Sequence, residues 1–172
     1  MDLDEFRAVV EEHQNMVYSV ALRVVGDAGM AEEVAQDAFL QLFRNREKLL
    51  DADHVRYWLR RVTAHRALDA RRRRAGRPES SAEEWMEDRH GIQVHPVVDA
   101  ILGARLEELL QTLPEAMRVA VVLRYQEEMQ PEEIAAMLAK PVATVKSDLQ
   151  RGLKLLRRKA NVTMKEFVRA RI

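Results

Sequence analysis

The chain has 172 residues, enough for one ordinary domain or two small ones; a third of them are charged, few are aromatic, and 28 acids balance 28 lysines and arginines. The absence of cysteine excludes disulfides and thiolate metal sites and suits a reducing compartment. No apolar run approaches membrane-spanning length, and the start Met1-Asp2-Leu3-Asp4-Glu5 is unlike a signal peptide, so a cytoplasmic protein without membrane insertion is expected.

Leu, Ala, Val, Met, Glu and Arg dominate and no run of alternating β-branched residues stands out, which predicts an all-α protein. A first helix is expected over Leu3 to about Val25, with Phe6, Val9, Val10, Met16, Val17, Val20, Ala21 and Val24 at helical spacing and Gly26 ending it. His13 sits among these apolar positions, where a packed histidine is the default over a ligand. A second helix, roughly Met30 to Arg46, has Val34, Ala38, Phe39, Leu42 and Phe43 on one side and Glu32, Glu33, Gln36, Asp37 and Gln41 on the other, a face suited to solvent or to a docking protein.

Glu47 to His54 reads as a loop. The helix after it, Val55 to Arg74, begins VRYWLRR and ends DARRRR. Tyr57 and Trp58 beside Arg56, Arg60 and Arg61 combine stacking surfaces with guanidinium groups, as expected of a single-stranded nucleic-acid contact, although Trp58 taken alone better fits a core anchor of the three-helix unit. Four consecutive arginines, Arg71 to Arg74, point to a phosphate backbone. Gly76 to Pro96 is rich in Gly, Pro, Ser and acids and reads as a flexible linker, with Trp85-Met86 either a short docking segment or a nonspecific exposed pair.

Helices are then predicted over Val97 to Gln111, Glu115 to Tyr125 behind Pro114, and two more within Pro131 to Lys159. On the last of these, Val145, Leu149, Leu153 and Leu156 share one side, opposite Thr144, Lys146, Ser147, Gln150, Arg151, Lys154, Arg157 and Arg158. Such a helix fits the major groove of DNA; it also fits a solvated cationic face closing a small bundle. The charge blocks bear on the choice. Residues 55 to 78 hold 9 Arg against one Asp, and residues 140 to 172 hold 10 bases against 2 acids, with acidic blocks before and between them. Two basic blocks of this kind suggest two polyanion-binding faces.

With both halves laid out, the chain resembles the extracytoplasmic-function group of bacterial sigma factors, of the sigma-70 superfamily. The resemblance rests on AEEVAQDAFLQLF (Ala31 to Phe43) followed by YWLRRVTAHRALDARRR (Tyr57 to Arg73), then LPEAMRVAVVLRYQEEMQPEEIAAMLAKPVATVKSDLQRGLKLLRR (Leu113 to Arg158). It implies an all-α fold of two small helical domains: sigma region 2 (a three-helix unit) at 1–75 and sigma region 4 (a helix-turn-helix) at 97–160, with a linker at 76–96 and a C-terminal tail at 161–172.

The function implied is that of an alternative sigma factor, not an enzyme and without cofactor or metal, which binds RNA polymerase core, recognises minus-35 and minus-10 promoter elements and promotes DNA opening. The implied partners are the beta-prime clamp helices and beta flap of core, promoter DNA in duplex and single-stranded form, and an anti-sigma factor. The resemblance assigns Glu33, Gln36, Asp37 and Leu40 to core binding. Arg56, Trp58, Arg60, Arg61, His65, Arg66, Arg71 and Arg72 fall to the minus-10 element, with the loop Arg46 to His54 accepting a flipped base. Val142, Ala143, Thr144, Lys146, Ser147, Gln150, Arg151 and Lys154 fall to the minus-35 element.

Departures from the family pattern are His65 for a common Asn, Ala139, Ala143 and Glu128 for frequent glycines, Asp148 for a basic residue, and Gln130 where Ser or Thr would cap better. Asp148 is expected to weaken phosphate binding. The competing reading is a stand-alone helix-turn-helix regulator binding duplex DNA as a dimer, which has no need of the arginine block or the docking helix. An enzyme targeted by a DNA-binding half is the third and weakest.

Overall fold

The computed structural model describes residues 2–48, 51–76 and 97–169, all helices and short connections. Nearly all of the linker 76–96, with Trp85 and Met86, lies outside these residues, as do Leu49 and Leu50 of the expected base-accepting loop and the last three residues.

Three helices make the N-terminal unit: α1 (Leu3–Val25), α2 (Ala28–Asn45) and α3 (Ala52–Ala75). Each start is fixed by an aspartate. Asp2 accepts from the backbone N–H groups of Asp4 and Glu5 while Glu5 accepts in return from Asp2 N–H at 2.8 Å; Asp27 accepts from Met30 N–H and Asp51 from His54 N–H. The cap at Asp51 starts α3 at Ala52, three residues before the start expected from periodicity, and a 3-10 turn over Arg46–Lys48 takes up part of the predicted loop. Gly26 ends α1 in the left-handed conformation at φ 75°.

The C-terminal unit holds α4 (Val97–Gln111), α5 (Glu115–Tyr125), α6 (Pro131–Leu138) and α7 (Val142–Arg169). Pro114 and Pro141 stand immediately before α5 and α7, where a missing N–H costs nothing, and Pro131 is the first residue of α6. At the α6 start Glu133 accepts from Gln130 N–H at 2.6 Å, the half of a capping box that the acid three residues on supplies. The expected boundary at residue 160 falls inside α7, which runs without a break to Arg169. α6 and α7 meet at Ala139, left-handed at φ 51°, and Glu128 is left-handed at φ 56°. Two of the three positions singled out as replaced glycines therefore do adopt the backbone conformation that glycine favours.

The two units are packed on each other. One core runs from Val20, Ala21 and Val24 of α1 and Ala64, Ala67 and Leu68 of α3 into Leu110, Leu113, the α5 run Val119–Leu123, Ile134, Met137, Val145 and Leu149. A smaller cluster, Val17, Ala38, Leu42, Val55 and Leu59, closes the other side of the N-terminal unit with Phe6, Phe39 and Trp58 against it. Arg118 through Leu123 are all buried, so α5 has neighbours on every side and is the central element of its half.

Candidate nucleic-acid interface

On α7 the buried side is Val145, Leu149 and Gly152. Gly152 is where α7 crosses α5 most closely, since a Cβ there would lie 3.1 Å from Val121 Cγ2 and 3.4 Å from Met117 Cβ. Leu153 and Leu156, predicted to share the stripe, are half-buried. Burying 145, 149 and 152 turns the opposite face outward: Ala143, Thr144, Lys146, Gln150, Arg151 and Lys154 are exposed, with Val142 and Ser147 half-buried at its edge. All eight residues expected at a minus-35 element thus lie along the first four turns of one helix, six of them open to solvent.

Two ion pairs trim the charge of this face. Lys146 Nζ lies 2.9 Å from Glu132 of α6, and its hydrogen bond is the main reason the Glu132 carboxyl is held below its usual pKa. Both side chains are largely exposed, so a phosphate can compete for Lys146. Asp148 is half-buried with its carboxylate 4.0 Å from Lys140 Nζ, so its charge is partly offset within the helix-turn-helix.

The α2 face is equally open. Glu33, Gln36, Asp37 and Leu40 recur at helical spacing on its solvent side, and Leu40 is 54% exposed, a large apolar side chain left uncovered on a polar face. Asp37 lies 3.8 Å from Arg66, which ties this face to α3.

The α3 set divides. Arg56 and Arg61 are exposed, while Trp58 is half-buried against the smaller cluster, as a core anchor would be. Arg60, His65, Arg71 and Arg72 instead reach the C-terminal unit. Arg60 Nε donates to Glu127 Oε2 at 2.8 Å and its NH2 group to the Glu127 carbonyl. His65 Nε2 is 2.9 Å from the Met137 carbonyl oxygen. Arg71 donates to the Val24 and Val25 carbonyls and to Gln111 Oε1, and Arg72 pairs with Glu115 at 3.2 Å. The sequence placed these four on a nucleic-acid face; the structure brings Arg60, His65 and Arg71 to an internal seam, while Arg72, its side chain 66% exposed, pairs with Glu115 at the surface.

The residues on the far side of that seam were not singled out from sequence. Arg118 is 1% exposed and donates to the carbonyls of Leu110, Gln111 and Leu113 at 2.7–2.9 Å and to Val24 at 2.8 Å. It therefore sits between the C-terminal ends of α4 and α1, where a cation complements both helix dipoles. Burial, with the Arg71 charge nearby, lowers its pKa to about 10, which leaves it charged at neutral pH. Gln111 donates to the Arg23 carbonyl, and Gln126 donates to Ser19 Oγ and accepts from Arg23. The one sequence signal for Arg118 was its place at the head of an unbroken apolar run, RVAVVL.

Among the described residues no three His, Asp or Glu cluster as a metal site, and no helix is long and apolar enough to cross a membrane. The comparisons bear on the same two halves. Residues 9–77 match the family model for sigma-70 region 2 and residues 103–156 that for sigma-70 region 4. The chain is 35% identical over 154 residues to the ECF RNA polymerase sigma factor SigE of Mycolicibacterium smegmatis, covering 87% of this chain and 59% of that protein's length. It is 32% identical over 161 residues to the RNA polymerase sigma-H factor of Pseudomonas aeruginosa, covering 88% of this chain and 83% of that one. In fold it resembles the sigma factor RpoE of Bartonella quintana, solved in complex with the anti-sigma factor NepR, at a TM-score of 0.70 and 16% identity over 93% of this chain and 99% of that one. Both halves, in order and with the helix-turn-helix second, place the chain in the extracytoplasmic-function group of the sigma-70 family of RNA polymerase sigma factors.

Proposed function

We propose that the chain is an alternative sigma factor that grips a promoter at two points, with a division of labour between α7 and α3. It acts by binding and positioning and is not an enzyme. The domain limits that fit this reading are 1–75 for region 2, 76–96 for the linker and 97–160 for region 4, followed by residues 161–172. The site of action is the cytoplasm, where core polymerase works.

The observation that carries the reading is the exposed polar face of α7, set by the burial of Val145, Leu149 and Gly152. Gln150 and Arg151 stand where a major-groove helix reads base edges, each able to contribute roughly 1–3 kcal/mol of discrimination, while Lys146 and Lys154 hold phosphates. The α2 face of Glu33, Gln36, Asp37 and Leu40 docks on the beta-prime clamp helices of core, and region 4 rests on the beta flap. Arg56, Trp58, Arg61 and Arg66, joined by Arg60, His65, Arg71 and Arg72 once these leave the seam, serve the minus-10 element. There the capture of a flipped base has to return the few kcal/mol spent on unstacking it. An anti-sigma factor is the expected inhibitor, as in the complex of the structurally similar RpoE.

The test is a promoter library read by core polymerase carrying single-residue variants. Arg151→Ala should relax preference at the minus-35 element, changing the ranking of promoters by roughly 1–3 kcal/mol. Arg72→Ala should weaken binding with little sequence bias and flatten its salt dependence. An equal loss on all promoters for both variants contradicts the division of labour.

A further inference from the structure

We infer that α7 grips DNA at a second place beyond its reading face: Arg157 and Arg158 hold backbone phosphates of the duplex that flanks the minus-35 element, without reading bases. This rests on the proposed seating of the first half of α7 in the major groove and extends that contact along the same helix. It concerns the part of α7 that follows the region 4 family match, which ends at residue 156, whereas the helix continues to Arg169.

The helix is longer than the groove can hold. α7 has 28 residues, which at 1.5 Å per residue makes it about 42 Å long. The expected minus-35 contacts, Val142 to Lys154, take up roughly the first 20 Å of it. A straight rod leaves a groove that winds around the duplex, and past that point its side chains meet the sugar-phosphate ridge that borders the groove. The distal turns are also fixed in orientation. Leu155 and Leu156 pack against the main core, and Lys159 Nζ donates to the Thr112 carbonyl of the α4–α5 corner at 3.5 Å. The other side therefore faces out: Gln150, Arg151, Lys154, Arg157, Arg158 and Asn161 are all exposed and follow one another at helical spacing. The side that enters the groove thus runs on without interruption past Lys154.

Charge decides what meets this side. Among the described residues Arg151, Lys154, Arg157 and Arg158 have no acid or carbonyl partner, whereas Lys146 has Glu132 and Arg60 has Glu127. Residues 157 to 172 hold Arg157, Arg158, Lys159, Lys165, Arg169 and Arg171 against Glu166 alone. Nothing in the chain neutralises the exposed pair, and a polyanion continuous with the groove does. An acidic protein surface has the same charge; the unbroken run from the reading residues to Arg158 favours DNA. Contacts to phosphate carry no sequence information, so the pair adds affinity and not selectivity.

The test uses core polymerase carrying the full-length chain, bound to a promoter fragment taken from the library of the preceding test. Hydroxyl-radical cleavage reads the sugar-phosphate backbone, and the parent should protect the minus-35 element and a further patch immediately beside it. Arg157→Ala/Arg158→Ala should lose that patch alone and leave the ranking of promoters unchanged. It should also bind the fragment about tenfold more weakly, with a salt slope shallower by about 1.8. Arg157→Lys/Arg158→Lys, which keeps the charge, should restore the patch and the slope. Unchanged protection and slope in the alanine variant overturn the inference, as does a defect that lysine does not restore, which marks a structural role. Weaker binding of the alanine variant to core without DNA also overturns it and assigns the pair to a protein surface. Arg151→Ala separates the two claims. If it relaxes minus-35 preference while the alanine pair changes nothing, groove reading by α7 stands and only its extension falls; if Arg151→Ala leaves the preference intact, groove reading itself falls.

Discussion

The basic helices α3 and α7 have similar charge and opposite circumstances. α7 keeps one face buried and shows the rest, and its cations meet solvent or exposed partners. α3 is packed on α1, α2 and the C-terminal unit, so half of its candidate DNA contacts are held by carbonyls and carboxylates of the same chain. Arginine density alone therefore does not separate a cation that faces solvent from one held by partners in the same chain. The acidic blocks that balance the charge to zero have a share in this, since Glu115 and Glu127 pair with Arg72 and Arg60.

The largest expected effect comes from removing the cation between α1 and α4. Arg118→Ala removes a donor from four carbonyls; those of Val24 and Leu110 keep Arg71 and the Leu113 N–H, while those of Gln111 and Leu113 are stranded, and at about 1–3 kcal/mol for each stranded group the loss should total about 2–5 kcal/mol. Urea unfolding followed by circular dichroism measures it; a loss below ~1 kcal/mol contradicts the capping role.

A smaller change tests the α7 side. Ala139 turns the chain between α6 and α7 at φ 51°, so Ala139→Gly relieves left-handed strain but gains entropy in the unfolded chain. The balance should favour the variant by ~0.5–1 kcal/mol, with duplex binding unchanged. Destabilisation would mean that the alanine methyl group contributes packing worth more than the strain.

The smallest concerns His13, buried in α1 with its pKa lowered chiefly by burial and further by Arg56 and Arg60, against a raising effect of Glu12. The unfolded chain takes up that proton first. Stability is therefore full above pH 6.5 and falls as the pH drops from there toward the folded value. His13→Gln should remove that slope; a slope unchanged in the variant assigns it to other groups.

Much of the fold was legible because it is written locally. The starts of α5, α6 and α7 follow from Pro114, Pro131 and Pro141, and the α7 stripe from apolar spacing. The caps at Asp27 and Asp51 instead begin α2 and α3 two and three residues before the starts that periodicity suggested. The candidate faces on α2 and α7 were equally legible, being the polar remainder of amphipathic helices. The seam was not, because its bonds join residues far apart in sequence, such as Ser19 with Gln126 and Arg60 with Glu127, and such pairings leave no periodic trace. Gly152 was missed for a related reason: its role is a close crossing with α5, visible only once both helices are placed.

The most direct test of the two-point grip is to add the full-length chain to purified bacterial core RNA polymerase and map transcript starts across a promoter library. The account predicts stable binding to core and starts from promoters that share two sequence elements at fixed spacing, with none from core alone. A chain that fails to bind core and instead binds duplex DNA as a dimer would contradict it.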